Sequence, residues 1–257
     1  MEVFYLDESV NPKSSSCKID FVSRYMALES ALLSLPKEKH IRRTTYPLFQ
    51  WFSNPETWDD PFEKFFLNNS FKDNDCPLKD HVAIACYTTK TASEAQWTVY
   101  SKKEIAVQMR INWAGLIEGL EAYDNKDYRV YIGKVHYQDT CVIKKPKLSS
   151  VLEMADGEIQ KMEAKDEYEL PARLMTIKRS AYSYEEEIRI MIVSTKNEVS
   201  RGLNIGPFKK DIIDRVTISP HAGKETTNVL KQVFHQRGIK RVYHSTLYDP
   251  VVNIVLE

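Results

Sequence analysis

The stretch Tyr184 to Val193, YEEEIRIMIV, restricts what this chain can fold into more than any other. Its second half, Ile188 to Val193, is dense in β-branched and apolar residues, which favours a buried or half-buried strand. Alternation then places Glu185, Glu187, Arg189, Met191 and Val193 on one face. Tyr184, Glu186, Ile188, Ile190 and Ile192 fall on the other. One face therefore carries two carboxylates and a guanidinium in a row, each about 6.5 Å along the strand from the next. Farther on, both faces are apolar, so the charged row leads into a core. In such a place a carboxylate is partly desolvated and tuned by its neighbours. An ion-pair ladder on a solvated sheet face fits the same residues, and such pairs contribute little. A Glu187→Gln variant separates the two: chemistry predicts lost function at an unchanged melting temperature, a ladder predicts lost stability.

Composition narrows the setting. With 257 residues, 42% of them hydrophobic, the chain can bury a sizeable core as one large or two small domains. Thirty-six basic and 36 acidic residues cancel, which removes the global electrostatic argument for a nucleic-acid or membrane partner. Cys17, Cys76, Cys86 and Cys141 are widely spaced without a Cys-x-x-Cys pair, against a zinc site or a disulfide framework. No apolar run follows a basic start and none reaches the length of a membrane span, so a soluble cytoplasmic protein is expected.

Along the chain, residues 1–20 are polar and suggest a loose lead-in to a domain over 21–257. Phe21 to Leu35, with Tyr25, Leu28, Leu32 and Leu35 at steps of three and four, predicts an amphipathic helix stopped at Pro36. The basic connector Lys37 to Arg43 suits a solvated face. Pro47–Phe52 and His81–Tyr87 predict short buried strands. Asp60-Pro61 suits a helix start, with Asp60 as its cap; an acid at a pocket mouth is the functional alternative. Trp97 and Tyr100, three apart among polar neighbours, share a side if helical and are pocket candidates. Trp51, Phe52, Phe62, Phe65 and Phe66 suit core packing. Strands are expected over Ile105–Ile111 and Arg129–Tyr137, with a short helix over Asn112–Leu120 between them. Residues 148–180 are helix-prone, ending near Lys178-Arg179, where Lys178 suits a helix C-terminus. The tail predicts β-α-β: Arg215–Ser219, Lys224–Gln236 and Arg241–Ser245, with Gly238 as the helix stop. The expected fold is a single α+β domain, a mixed, mostly antiparallel sheet flanked by helices.

Several segments together resemble one family. They are Phe52-Ser53-Asn54-Pro55 with Trp58-Asp59-Asp60-Pro61-Phe62-Glu63, then Cys86-Tyr87-Thr88 with Gln96-Trp97-Thr98-Val99-Tyr100, and Lys178 with Glu185-x-Glu187-x-Arg189. Their order and character resemble the bacterial domain of unknown function 2971 family, over roughly residues 21–250. This chain has Asp59 where that pattern usually has Asn, and Ser183-Tyr184 where it has a Trp before the Glu-rich strand. The resemblance implies a shared fold and a site assembled from these segments.

Three functions fit this residue set. The first is NAD-consuming glycosyl transfer in the manner of ADP-ribosyltransferases. Breaking the bond to nicotinamide builds positive charge on the ribose, which a carboxylate stabilises while aromatic rings stack the base. Glu185 and Glu187 supply the acids, Trp58, Trp97 or Tyr100 the rings, and Arg110, Lys178 or Arg189 a pyrophosphate contact. The second is a magnesium-dependent nuclease or phosphodiesterase using Asp60, Glu63, Glu185 and Glu187, with Lys178 on a phosphate. The third is a non-enzymatic ligand- or protein-binding domain, for example a sensor in bacterial defence. The expected catalytic set is Glu185, Glu187, Arg189 and Lys178, the substrate-binding set Asp60, Ser53, Trp58, Trp97, Tyr100 and Arg110, with no resident metal. The expected partner is a nucleotide-type small molecule, with a protein or nucleic acid as target.

Overall fold

A computed structural model describes residues 1–40, 43–45, 47–58, 60–61, 63–64, 67, 78–100, 105–139 and 166–249. The strands are β1 (Glu2–Tyr5), β2 (Phe21–Ala27), β3 (Glu38–His40), β4 (Arg43–Thr45), β5 (Leu48–Ser53), β6 (Val82–Thr88), β7 (Ala106–Asn112) and β8 (Tyr128–Lys134). They continue with β9 (His136–Gln138), β10 (Ile177–Arg179), β11 (Glu187–Ser194), β12 (Gly202–Phe208), β13 (Ile213–Ile218) and β14 (Val242–His244). The helices are α1 (Leu28–Leu33), α2 (Glu94–Tyr100), α3 (Trp113–Glu121), α4 (Glu169–Leu174) and α5 (Lys224–Gln236). The architecture is α+β.

One mixed sheet organises the chain, in the order β1-β8-β11-β6-β2-β7-β13-β14. Its β1–β8 and β13–β14 pairs are parallel and the others antiparallel. β11 lies between β6 and β8, and its alternation holds as expected from Glu187 onward. Ile188, Ile190 and Ile192 enter the main core with α3 and α5, while Met191 and Val193 join a second cluster with Tyr131 and α4. Glu187 and Arg189 share that second face. The tail is the expected β-α-β unit, with β13 and β14 parallel and Gly238 at φ +83° just past α5.

The sheet has a fork. The far edge of β6 pairs with β2 at Ser23–Thr88 and with β5 at Ser53–Ile84. Between those two points, at Cys86, β2 and β5 diverge: β2 continues along β7 while β5 continues along β12. A cavity of about 970 Å³ occupies the divergence, lined from β2, β5 and β6 alike.

Four expectations are corrected. Residues 1–20 are not a lead-in: β1 pairs with β8, Val10 is fully buried, and its carbonyl accepts the Trp113 indole N–H at 2.8 Å. Residues 21–27 are a strand and not the start of a helix. β2 is central and buried on both faces, so its apolar residues do not alternate, and their spacing imitates a helix. The helical part is reduced to α1. Lys178 lies on β10, paired parallel with β9, and not at a helix end; the expected helix over 148–165 lies outside the described residues. Among the described residues no helix begins at Asp60; it lies in a turn, its carbonyl accepting the Glu63 N–H. Phe62, Phe65, Phe66, Cys76 and Cys141 also lie outside the described residues.

The β5–β12 ribbon sets one test. Gly202 has φ +152°, and a Cβ there would collide with the Phe52 carbonyl oxygen and the Trp51 indole. Gly202→Ala is expected to cost about 1–3 kcal/mol and lower the melting temperature by roughly 3–10 °C, as read by calorimetry.

Candidate functional site

The polar centre of the molecule forms where β11 begins. Ser180–Glu185 is a 3-10 turn, and Glu186 sits at φ 43°, ψ 56°, in the left-handed region. Glu185 is therefore not on the strand, and the expected row of three charges along one strand face does not exist as such. The left-handed residue reverses the backbone, so that Glu185 and Glu187 meet by a turn and not by alternation. What joins them is Lys178 on the neighbouring β10. Its ammonium contacts Glu185 Oε2 at 2.7 Å, Glu187 Oε2 at 3.1 Å and Glu63 Oε1 at 3.1 Å. Arg189 completes the cluster. It donates from Nε to Glu187 Oε1 at 2.7 Å, from Nη2 to Glu63 Oε1 at 2.5 Å, and from Nη1 to the Met175 carbonyl at 2.6 Å.

Three carboxylates and two cations are enclosed: the side chains of Arg189 and Glu187 are 1% and 4% exposed, that of Lys178 10%. A solvated ladder is thus not what these residues form. Burial pushes the Glu187 carboxyl up, but Arg189 and Lys178 outweigh it and hold the group down at about 2. Glu185 moves the other way. Burial raises it, Lys178 opposes, and the charge on Glu187 raises it again. Three carboxylates face two cations, so one proton neutralises the cluster. Lys178 itself is driven up: burial lowers it, and Glu187, Glu63 and Glu185 together overcome that.

The cluster opens onto the fork. Glu63, Lys178, Glu187 and Cys86 line the 970 Å³ cleft, as do Ser53, Trp58 and Tyr100. Trp58 lies 5.2 Å from the Arg189 guanidinium and donates its indole N–H to Ser53 Oγ at 2.9 Å. Burial raises the Tyr100 phenol, and Cys86, Glu185 and Glu187 add to it; the hydroxyl end is enclosed although 42% of the residue is exposed. Glu185 lines a side recess of about 20 Å³ together with Tyr25, Cys86, Tyr100 and Glu187, all of which except Glu185 also border the cleft. Burial pushes the Cys86 thiol well up, so it is a packing group and not a thiolate.

Three expected residues fall elsewhere. Trp97 is 1% exposed and packs edge-on against Tyr25 at 4.8 Å, on the apolar side of α2, so only Tyr100 of that pair reaches the cleft. Arg110 lies three strands from Glu187 across the sheet, over the Phe21 ring at 4.1 Å and 3.6 Å from Asp214. Asp60 is paired with Arg179 at 2.7 Å, one residue along β10 from Lys178, and so ties the Glu63 loop to the cluster without lining the cleft. Sequence reasoning missed Arg24, Gln50 and Tyr137. The Tyr137 hydroxyl accepts the Glu187 backbone N–H at 2.9 Å. Only the apolar character of its strand pointed to Gln50, and nothing local pointed to the other two.

A magnesium ion does not fit this donor set. Asp60 is turned to Arg179, and the other three carboxylates already surround an ammonium and a guanidinium. Among the described residues no group of His, Cys, Asp or Glu is disposed to hold a metal, and no helix is long and apolar enough to cross a membrane. Compared with known proteins, the sequence matches no family model and no curated protein.

The shift on Glu187 sets a pH dependence. Its folded value of about 2 lies below the ordinary 4.5, so the unfolded chain binds the extra proton. The resulting stability is complete above about pH 4.5 and is lost as pH falls towards 2. Urea unfolding between pH 2 and 6 should show this acid limb, and Glu187→Gln should flatten it while costing on the order of 3 kcal/mol at pH 7. That loss makes Glu187→Gln a measure of stability and not a discriminator of chemistry.

Proposed function

We propose that the cleft binds a nucleotide-type molecule and breaks its N-glycosidic bond, with NAD as substrate, in the manner of ADP-ribosyltransferases and NAD glycohydrolases. One observation carries this reading: Glu187 on the cleft wall and Glu185 in the recess beside it share one ammonium, and their surroundings drive their proton affinities apart. Such a pair divides acid–base work between its members. Glu187 stays ionised and faces the cleft, where it stabilises the positive charge that builds on the ribose as the C1′–N bond breaks and the electron pair leaves with nicotinamide. Glu185, with its raised affinity, takes the proton of the attacking hydroxyl, whether water or an acceptor on a target molecule. Trp58 and Tyr100 offer aromatic surface to the departing base. Lys178 and Arg189 act by positioning, since their donors are engaged by the carboxylates.

The resemblance to the domain of unknown function 2971 family belongs to the same proposal, as do a cytoplasmic setting, a role in bacterial defence, and a protein or nucleic-acid acceptor. The alternative of a non-catalytic binding domain has the same cleft in its favour.

Purified protein incubated with NAD, with and without cell extract as a source of acceptor, is expected to release nicotinamide, followed by chromatography. Glu185→Gln should cut the rate at least about 100-fold. Its melting temperature should hold, because an amide still accepts the Lys178 N–H and the cluster loses a surplus acid. No release under either condition, or full release from Glu185→Gln, ends the proposal.

A further inference from the structure

The cleft has a second polar wall that the glycosidic reading leaves unused. Strand alternation, counted across the paired residues Glu187–Thr88–Ser23 and Ile84–Ser53, puts Arg24 of β2 and Gln50 of β5 on the sheet face opposite Glu187. Both residues line the cleft, so it passes through the fork from one face to the other. Arg24 Nη1 reaches across the fork to Gln50 Oε1 at 3.4 Å, and the Tyr87 hydroxyl donates to the same oxygen at 3.1 Å. Two donors on Oε1 fix the amide orientation and commit Nε2 to donating. That nitrogen is buried, in a residue 1% exposed, and has no partner among the described residues. Arg24 has no carboxylate partner among the described residues either; besides Gln50 it has the Tyr87 ring, at 5.7 Å.

A guanidinium without a counter-charge beside a buried N–H donor without an acceptor is a site for an oxyanion. We infer that Arg24 and Gln50 form a phosphate subsite, so that the cleft takes a phosphorylated nucleotide and not a nucleoside. The phosphate lies on one face of the sheet and the scissile bond on the other, by Glu187. Leu33, 69% exposed, borders the cleft with apolar surface, while Trp51, 47% exposed where core packing is expected, lines it from the Glu187 face and offers a ring to the base. The inference deepens the proposed function by naming the group that anchors the substrate. It also moves the phosphate contact away from Lys178, Arg189 and Arg110. The first two spend their donors on carboxylates and the Met175 carbonyl, and the third lies outside the cleft.

The test compares ADP with adenosine by calorimetric titration of the full chain. ADP is expected to bind about 10- to 100-fold more tightly. Arg24→Met should remove most of that margin and leave adenosine unaffected. Gln50→Glu, which sets a carboxylate against the phosphate, should do the same. If Arg24→Met fails to fold, Arg24→Lys keeps the charge without the fork and should lose part of the margin. Equal affinities in the unaltered protein, no binding of ADP, or equal losses of ADP and adenosine in the Arg24 variants overturn the subsite. The two proposals fail separately. If ADP binding depends on Arg24 while NAD stays intact, the glycosidic reading falls alone. If NAD is cleaved with an unchanged KM in Arg24→Met, the subsite falls alone.

Discussion

Everything in this structure that resembles a site depends on placing one ammonium, that of Lys178, among three carboxylates inside the protein. Desolvating five charges costs several kcal/mol per ion, and the mutual attraction recovers this only with close geometry and further hydrogen bonds. The chain meets both conditions with groups from four separate segments. Glu63 arrives on the loop anchored by Asp60 and Arg179, Lys178 on β10, Glu185 from a 3-10 turn, and Glu187 with Arg189 from β11. The Met175 carbonyl and the Tyr137 hydroxyl complete the shell. Such an assembly is poorly explained as a device for stability, since well-packed apolar side chains of the same volume serve at least as well. Its odd number of acids is the informative part. One proton decides whether the cluster is neutral, and burial raises the affinity for it at Glu185, beside a recess next to the cleft.

The sheet explains why the cavity is there. Continuous pairing along β6 would have closed its edge. Instead β2 and β5 each touch it at one residue pair and then follow other partners. Side chains of both sheet faces thereby meet one space, which a regular sheet forbids because alternation sends them to opposite sides. The acid cluster and the Arg24–Gln50 pair are brought together by this break in regularity.

How much of this was legible in the sequence follows physical lines. The identity of β11, its face partition beyond Glu187, the helix over residues 113–121 and the C-terminal β-α-β unit are local or strongly patterned, and they were legible. Lys178, Glu187 and Arg189 stand out in the sequence because charge inside or beside an apolar run is rare, and the structure brings them together beside a cleft that Trp58 and Ser53 also line. The rest was hidden for identifiable reasons. β1 pairs with residues 129–132, and no short window contains both partners. β2 is buried on both faces, which removes the alternation that would have betrayed a strand. Glu186 adopts a left-handed conformation that a glutamate rarely takes, so the simple alternation of Glu185 and Glu187 failed although their proximity survived. Arg24 looks like any strand arginine until the absence of a nearby acid among the described residues is seen in three dimensions.

The fork also bears on mechanics. β5 is joined to β6 by a single residue pair, and its ladder runs along β12. What otherwise seats this two-stranded leaf is the burial of Leu48, Phe52 and Ile205 in the main core. Dispersion and hydrophobic contact have no preferred direction, unlike a hydrogen-bond ladder. The directional links are few: the Phe49 N–H donates to the Ser34 carbonyl at 2.8 Å, the Tyr87 hydroxyl to Gln50 Oε1 at 3.1 Å, and Arg24 to the same oxygen at 3.4 Å across the aperture. The same irregularity that creates the cleft leaves one of its walls held to the sheet more by packing than by a ladder.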